Sequence, residues 1–202
     1  MIVAVEGIDG AGKNTLVTAL KERFGAETLA FPRYETSVHA QLAQDALHGR
    51  MGDLTDSAFG MATMFALDRH GAKQLLEGFA GRRDRIIILD RYVASNAAYT
   101  SARTGDAAAV KWVHDLEFEK LGLPKPDLQV LVDTTPDVAR ERAEAREAQD
   151  ATRTRDRYER DVALQVATFQ AYSELAERNW VSRWLRTTDP AVIMQAVSEL
   201  TE

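Results

Sequence analysis

Short β-branched runs alternate with longer stretches of helical period along the 202-residue chain. Ile2 to Val5 is an apolar run closing on Gly7, and Arg85-Ile86-Ile87-Ile88-Leu89 is another, closing on Asp90. Unbroken apolar runs of this length suit strands covered on both faces. Glu27–Phe31, Leu128–Val132 and a segment near Val181–Arg186 read as further strands. Between them Leu16, Ala19, Leu20 and Phe24 recur at helical spacing and predict a helix from about Lys13 to Phe24. Other helices are predicted over Ser37–His48, Asp53–Ala80, Val93–Arg103 and Asp106–Leu121, with a long one ending near Asn179 and a last one after Asp189-Pro190. Thr135-Pro136-Asp137 opens one more, with a capping hydroxyl, a proline at the first helical position and an acid in the first turn. The two prolines of Leu123-Pro124-Lys125-Pro126 mark a turn. Strands alternating with helices throughout predict an α/β fold: a three-layer sandwich with a five-stranded parallel sheet, in a single domain covering 1–202.

Composition narrows the function classes. A net charge of -6 disfavours a nucleic-acid binder, which carries a basic face, but leaves room for small anions held by a few local arginines. The absence of cysteine excludes disulfide and thiol chemistry. No apolar stretch approaches the ~20 residues of a membrane span, and Met1 leads straight into a strand, so the expectation is a cytoplasmic protein with no membrane partner.

The first strand runs into Gly7-Ile8-Asp9-Gly10-Ala11-Gly12-Lys13-Asn14-Thr15. Gly-x4-Gly-Lys between a strand and a helix is the frame of a phosphate-binding loop. Its glycines let backbone N–H groups converge on phosphate oxygens, the helix N-terminus adds its dipole, and Lys13 reaches the outer phosphates. This makes the sandwich one of the phosphate-binding-loop NTPase type. The position after Lys13 ordinarily carries a hydroxyl for Mg²⁺; here it is Asn14, with Thr15 one residue late. The metal arrangement is left open, with Asp9, Asp90 and Glu159 as candidate carboxylates.

The second apolar strand ends in Asp90-Arg91. A cation, rather than an acidic base for water, suggests a second phosphate to be held, that of an acceptor. Asn96, Tyr99 and Arg103 share one helix face behind it, with Tyr92 and Ser95 near its start. Phe65, Asp68, Arg69 and Ala72 share another, where Phe65 can stack on a flat heterocycle and Arg69 donate to its carbonyl. Spacing alone favours Phe65 in the core and Asp68–Arg69 as a surface pair.

These segments resemble the thymidylate kinase family. Asp90-Arg91-Tyr92-Val93-Ala94-Ser95-Asn96-Ala97-Ala98-Tyr99 is similar to its Asp-Arg-[Tyr/Phe]-x-x-Ser-x-x-Ala-Tyr segment; Glu6 to Lys13, Phe31-Pro32-Arg33-Tyr34, Phe65 to Arg69 and Pro126-Asp127-Leu128 match in order and spacing. The likeness runs from about Ile2 to Trp184 and is greatest to actinobacterial members, which also lack Ser or Thr after the loop lysine. It implies transfer of the γ-phosphoryl of ATP to dTMP with Mg²⁺, in a homodimer. It implies, too, that Arg91 and Tyr34 hold the acceptor phosphate, with Phe31 and Pro32 beside them and Asp9 facing that phosphate and its magnesium. Phe65 would stack on thymine, Arg69 and Asn96 would bond its polar edge, and Tyr99 would occupy the space of a ribose 2′-OH. The charged segment 140–157 becomes a mobile lid whose Arg142, Arg146 and Arg153 supply charge to the ATP phosphates, with Tyr158 and Glu159 at its far edge. Charge alone also permits a solvated helix with pairs such as Arg140–Glu144 and Arg146–Asp150. The histidines at 39, 48, 70 and 114 show no ligand spacing and receive no role.

Overall fold

The computed structural model describes residues 1–149 and 155–201. Their sheet has five parallel strands, β1 (Ile2–Glu6), β2 (Glu27–Ala30), β3 (Ile87–Asp90), β4 (Leu128–Leu131) and β5 (Arg183–Arg186), in the order β2-β3-β1-β4-β5. Every residue of β1 and β4 is buried, as expected for central strands with both faces covered. β1 lies between β3 and β4, so its carboxyl end, where the phosphate loop begins, is beside Asp90-Arg91. This crevice between strands that cross over in opposite directions is where open α/β sheets bind ligands.

Around the sheet run α1 (Lys13–Phe24), α2 (Val38–Leu47), α3 (Ala58–His70), α4 (Lys73–Glu77), α5 (Val93–Thr104), α6 (Ala108–His114), α7 (Pro136–Gln149), α8 (Arg157–Arg160), α9 (Val162–Glu177) and α10 (Pro190–Thr201). Helix α1 packs on β1, β3 and α10, while α9 packs on β4, β5 and α5. A second, smaller apolar cluster gathers Ala43, Ala46, Leu47, Met61 and Tyr158 beneath α2 and α3, with Phe65 and Tyr99 against it.

The predicted helix over Asp53–Ala80 is interrupted twice. A 3₁₀ turn, Leu54–Asp56, precedes α3, whose start is set by Ser57 Oγ accepting from Gly60 N–H at 3.0 Å. Helix α3 then ends before Gly71 and α4 begins at Lys73. The expected helix over Asp106–Leu121 changes pitch: α6 gives way to a π-helical turn, Asp115–Lys120. Strand β3 starts at Ile87 rather than Arg85, because the Arg85 carbonyl turns away to accept from the Met1 ammonium at 2.6 Å. Asp156 and Asp161 each cap the helix that follows, which separates α8 and α9 from α7.

Candidate active site

The phosphate loop closes on itself. Lys13 Nζ donates to the carbonyls of Gly7 at 3.1 Å and Ile8 at 3.0 Å, so its ammonium sits inside the ring of backbone that would surround a phosphate. Burial, and then the nearby Arg91 charge, lower this lysine to about 8 despite the acids beside it. Gly10 has a steric reason: its φ is +81°, and a Cβ there would lie 2.0 Å from the Ala139 carbonyl oxygen of α7. Ala11 is buried and its carbonyl accepts from Thr134 Oγ1 at 2.8 Å and from Arg142 Nη1 at 3.3 Å. Gly12 is the residue before α1; Asn14 and Thr15, in the first turn of that helix, are exposed.

Across the sheet's carboxyl edge lies a cavity of about 480 Å³, a volume that suits a small-molecule ligand. Its floor is cationic and anionic at once. Arg91 Nη2 pairs with Asp9 Oδ1 at 2.5 Å, and Arg91 Nη1 donates to the Gly7 carbonyl at 2.9 Å and to Ser95 Oγ and Tyr172 OH at 3.3 Å. Tyr99 OH donates to the other Asp9 oxygen at 2.9 Å. Burial alone would raise the Asp9 carboxyl, but Arg91, Lys13 and the Tyr99 hydroxyl outweigh it and hold it at about 2. Arg91 has left-handed backbone, φ 67°, at the turn from β3 into α5; a non-glycine residue in that region is held by its surroundings, here the four acceptors of its side chain and a backbone bond to Val5.

The predicted wall residues come from the segment after β2, from α3 and α5, and from the turn of α8. Phe31, Pro32 and Tyr34 follow β2, with a cis bond between Phe31 and Pro32. Phe65 and Arg69 come from α3, and Asn96 and Tyr99 from α5. Tyr158 stacks on Tyr99 with ring centroids 6.0 Å apart, its hydroxyl engaged by Arg103, and burial pushes that hydroxyl up to about 12. Glu159 borders the same cavity; its Oε2 accepts from the Asp156 N–H in a capping box, and burial followed by the Asp9 charge raises its carboxyl.

Phe65 is half-buried and lines the cavity while packing against the smaller apolar cluster, so the core and stacking readings both hold for one ring. The surface pair does not. Asp68 and Arg69 are buried and turn away from each other, as neighbours on a helix must. Asp68 accepts from the Arg33 backbone and from Arg33 Nε, both at 2.9 Å. Arg69 forms a two-pronged pair with Glu117 at 2.5 and 2.7 Å. Removing one partner of such a buried pair costs about 3–5 kcal/mol.

Along α7, Arg142 reaches the phosphate loop whereas Arg146 is exposed one turn further on. Arg140 pairs with Asp137 rather than Glu144, and Glu144 and Glu147 are taken by Arg155. Arg153 and Asp150, with the middle of the expected lid, lie outside the described residues.

Of the candidate metal carboxylates, Asp90 Oδ1 is buried with no hydrogen-bond partner among the described residues, Asp9 is paired with Arg91, and Glu159 accepts from the Asp156 N–H. No group of three or more His, Cys, Asp or Glu side chains converges among the described residues. Nor is any described helix long and apolar enough to cross a membrane.

Sequence reasoning missed Glu117, although Ala109, Val113 and Glu117 fall at i, i+4 and i+8 and all three are buried. An acid on an apolar stripe was the available signal. It also passed over Gln44 and His48, which border the cavity from α2; nothing in their spacing distinguishes them.

A lysine-bearing glycine loop at the end of a central parallel strand, with an arginine-floored cavity opening beside it, defines a phosphate-binding-loop phosphotransferase. The family model described as Thymidylate kinase matches residues 5–191. Thymidylate kinase of Mycobacterium tuberculosis is 52% identical over 92% of this chain and 90% of its own length, and a probable thymidylate kinase of Archaeoglobus fulgidus is 32% identical over 72% and 70%. The chain belongs to the thymidylate kinase family. Among solved structures its fold is shared by thymidylate kinase from Candida albicans (TM-score 0.74, 20% identity, 98% of this chain and 89% of that one). It is shared as well by deoxyadenosine kinase from M. mycoides (TM-score 0.65, 16% identity, 99% and 96%).

Proposed function

We propose that this protein transfers the γ-phosphoryl of ATP to thymidine monophosphate, giving dTDP and ADP. The observation that carries the reading is that Arg91, on the cavity floor, is bonded directly into the phosphate loop through the Gly7 carbonyl and Asp9. One guanidinium thus stands where an acceptor's phosphate would meet the donor's. An acceptor that is already an oxyanion needs no strong base, so catalysis is positioning and charge neutralisation. The loop amides of residues 10–15 and Lys13 hold the donor phosphates, and Arg142 and Arg146 add charge from the lid. Arg91 and Tyr34 orient the acceptor phosphate, Phe31 and Pro32 line that side, and Phe65 stacks on thymine. Tyr99, fixed by Asp9 and Tyr158, fills the space of a ribose 2′-OH.

Asp90 and Asp9 would hold Mg²⁺, an ion that binds through one or two carboxylates, water and substrate phosphates rather than a protein cage. The Asp90 oxygen that has no partner among the described residues fits that use, and with Asn14 in place of the usual hydroxyl the holding of the ion falls to these carboxylates. When bound, the ion neutralises charge on the transferring phosphoryl group. The reading extends to a cytoplasmic homodimer, for which Phe59, exposed and packed edge-on against Trp112, offers apolar surface.

The deoxyadenosine kinase likeness raises a nucleoside acceptor as the second reading. That chemistry requires a carboxylate free to take the proton of a neutral 5′-hydroxyl. Glu6 is wholly buried and accepts from Tyr92 N–H, Ser95 Oγ and Tyr172 OH, and Glu35 is exposed outside the cavity lining. An ADP-release assay offered thymidylate or thymidine separates the readings: turnover is expected with thymidylate and not with thymidine. Within the favoured reading, Phe65→Ala is expected to weaken thymidylate binding by about 1–3 kcal/mol, through lost stacking and burial. Unchanged affinity by calorimetry would return Phe65 to the core alone.

A further inference from the structure

Glu117 is wholly buried and does not line the cavity, yet it is where the two polar residues on the cavity's edge meet. Its Oε2 accepts from Arg69 Nε at 2.5 Å; its Oε1 accepts from Arg69 Nη2 and from Asn96 Nδ2, both at 2.7 Å. Asn96 Nδ2 donates a second bond to the Ala62 carbonyl at 2.9 Å. Both partners of that nitrogen are acceptors, so the orientation of the Asn96 amide is dictated rather than free: the NH₂ faces the protein and Oδ1 is left for the cavity. Arg69 is constrained likewise. With Nε and Nη2 consumed by Glu117, Nη1 is the guanidinium nitrogen that bonds no other described residue. The edge therefore offers one donor and one acceptor, in a polarity set from behind.

Thymine's own edge carries a carbonyl acceptor at O4 and a donor at N3–H. Cytosine carries an amino donor and a bare N3 acceptor, reversed at both positions. We infer that Glu117 is the positioning residue that writes base preference into this site, by fixing Asn96 and Arg69 in the polarity that fits an imide and opposes cytosine. The inference rests on the thymidylate reading above. Glu117 sits in the π-helical turn, where the Leu121 N–H reaches back to the Leu116 carbonyl at 2.9 Å and Glu117's own carbonyl accepts from Leu123 N–H at 2.9 Å. Its backbone is thereby tied into the wall that faces α3 and α5.

Glu117→Gln tests it. The variant keeps the shape but replaces one accepting oxygen with a donor, so it cannot receive both Arg69 N–H groups and Asn96 together. Steady-state kinetics with dTMP and dCMP are expected to show the dTMP:dCMP ratio of kcat/KM falling by about tenfold or more, chiefly through KM. KM for ATP should stay within about twofold, since the donor site is untouched. Glu117→Asp, which keeps a charge against the buried Arg69 while withdrawing it from Asn96, carries the same measurement if the glutamine variant melts too early. A ratio unchanged in the folded variant, with both substrates weakened alike, would overturn the inference and leave Glu117 a scaffold. The wild-type enzyme is also offered N3-methyl-dTMP, which lacks the N3 donor. Rejection by about tenfold or more is expected; equal use would overturn the thymine reading itself, separately from the part assigned to Glu117.

Discussion

Arg91→Ala is expected to lower kcat/KM for thymidylate by about two to three orders of magnitude, the scale set by removing one pre-aimed electrostatic donor. ATP binding should change by about threefold at most, because Lys13 and the loop amides hold the donor independently. The asymmetry follows from the place of Arg91: past the end of β3, on the cavity floor, with its guanidinium shared between Asp9 and the Gly7 carbonyl. An arriving acceptor phosphate competes with Asp9 for that guanidinium, and loss of the cation leaves Asp9 as bare negative charge facing the phosphate. Unaltered steady-state kinetics would remove Arg91 from the acceptor site.

Lys13→Ala has the second large expected effect, a fall in kcat of about two orders of magnitude or more with little change in thymidylate affinity. The wild-type lysine also carries a pH signature. Burial lowers it to about 8, so the free enzyme loses this cation as pH rises through that value. A lowered base is charged below its pKa and neutral above it; kcat/KM for ATP should therefore decline on the alkaline side of about pH 8. Lys13→Ala should lack that limb. A profile in the wild type that is flat from about pH 7 to 9 would show that the ammonium is not held as its burial implies.

The parts of this molecule legible in its sequence are those written by neighbours in the chain. The run Ile2 to Val5, the loop Gly7 to Lys13 and the step from Ile87 to Arg91 each combine a local pattern with a local consequence, and the sheet and its crevice follow from them. Helix ends were harder. The break in Asp53–Ala80 depends on the Ser57 hydroxyl winning an N–H from Gly60, which a hydrophobic period does not register. Harder still were partnerships across the fold. Arg69 and Asp68 look like a simple adjacent pair, but their partners are Glu117 and Arg33, 48 and 35 positions away. Spacing cannot choose among distant acids; only the packing of α3 against α5 and the π-helical turn does so. Tyr172, which joins Glu6, Ser95 and Arg91 into one network, was hidden for the same reason.

The central claim is that the acceptor brings its own phosphate to Arg91, and product analysis tests it most directly. The purified protein with ATP, Mg²⁺ and either thymidylate or thymidine is followed by ³¹P NMR. The account predicts that the ATP γ signal is replaced by the β-phosphate resonance of dTDP when thymidylate is present, and that thymidine leaves ATP intact. Conversion of thymidine to its monophosphate, or release of inorganic phosphate with no dTDP, would contradict it.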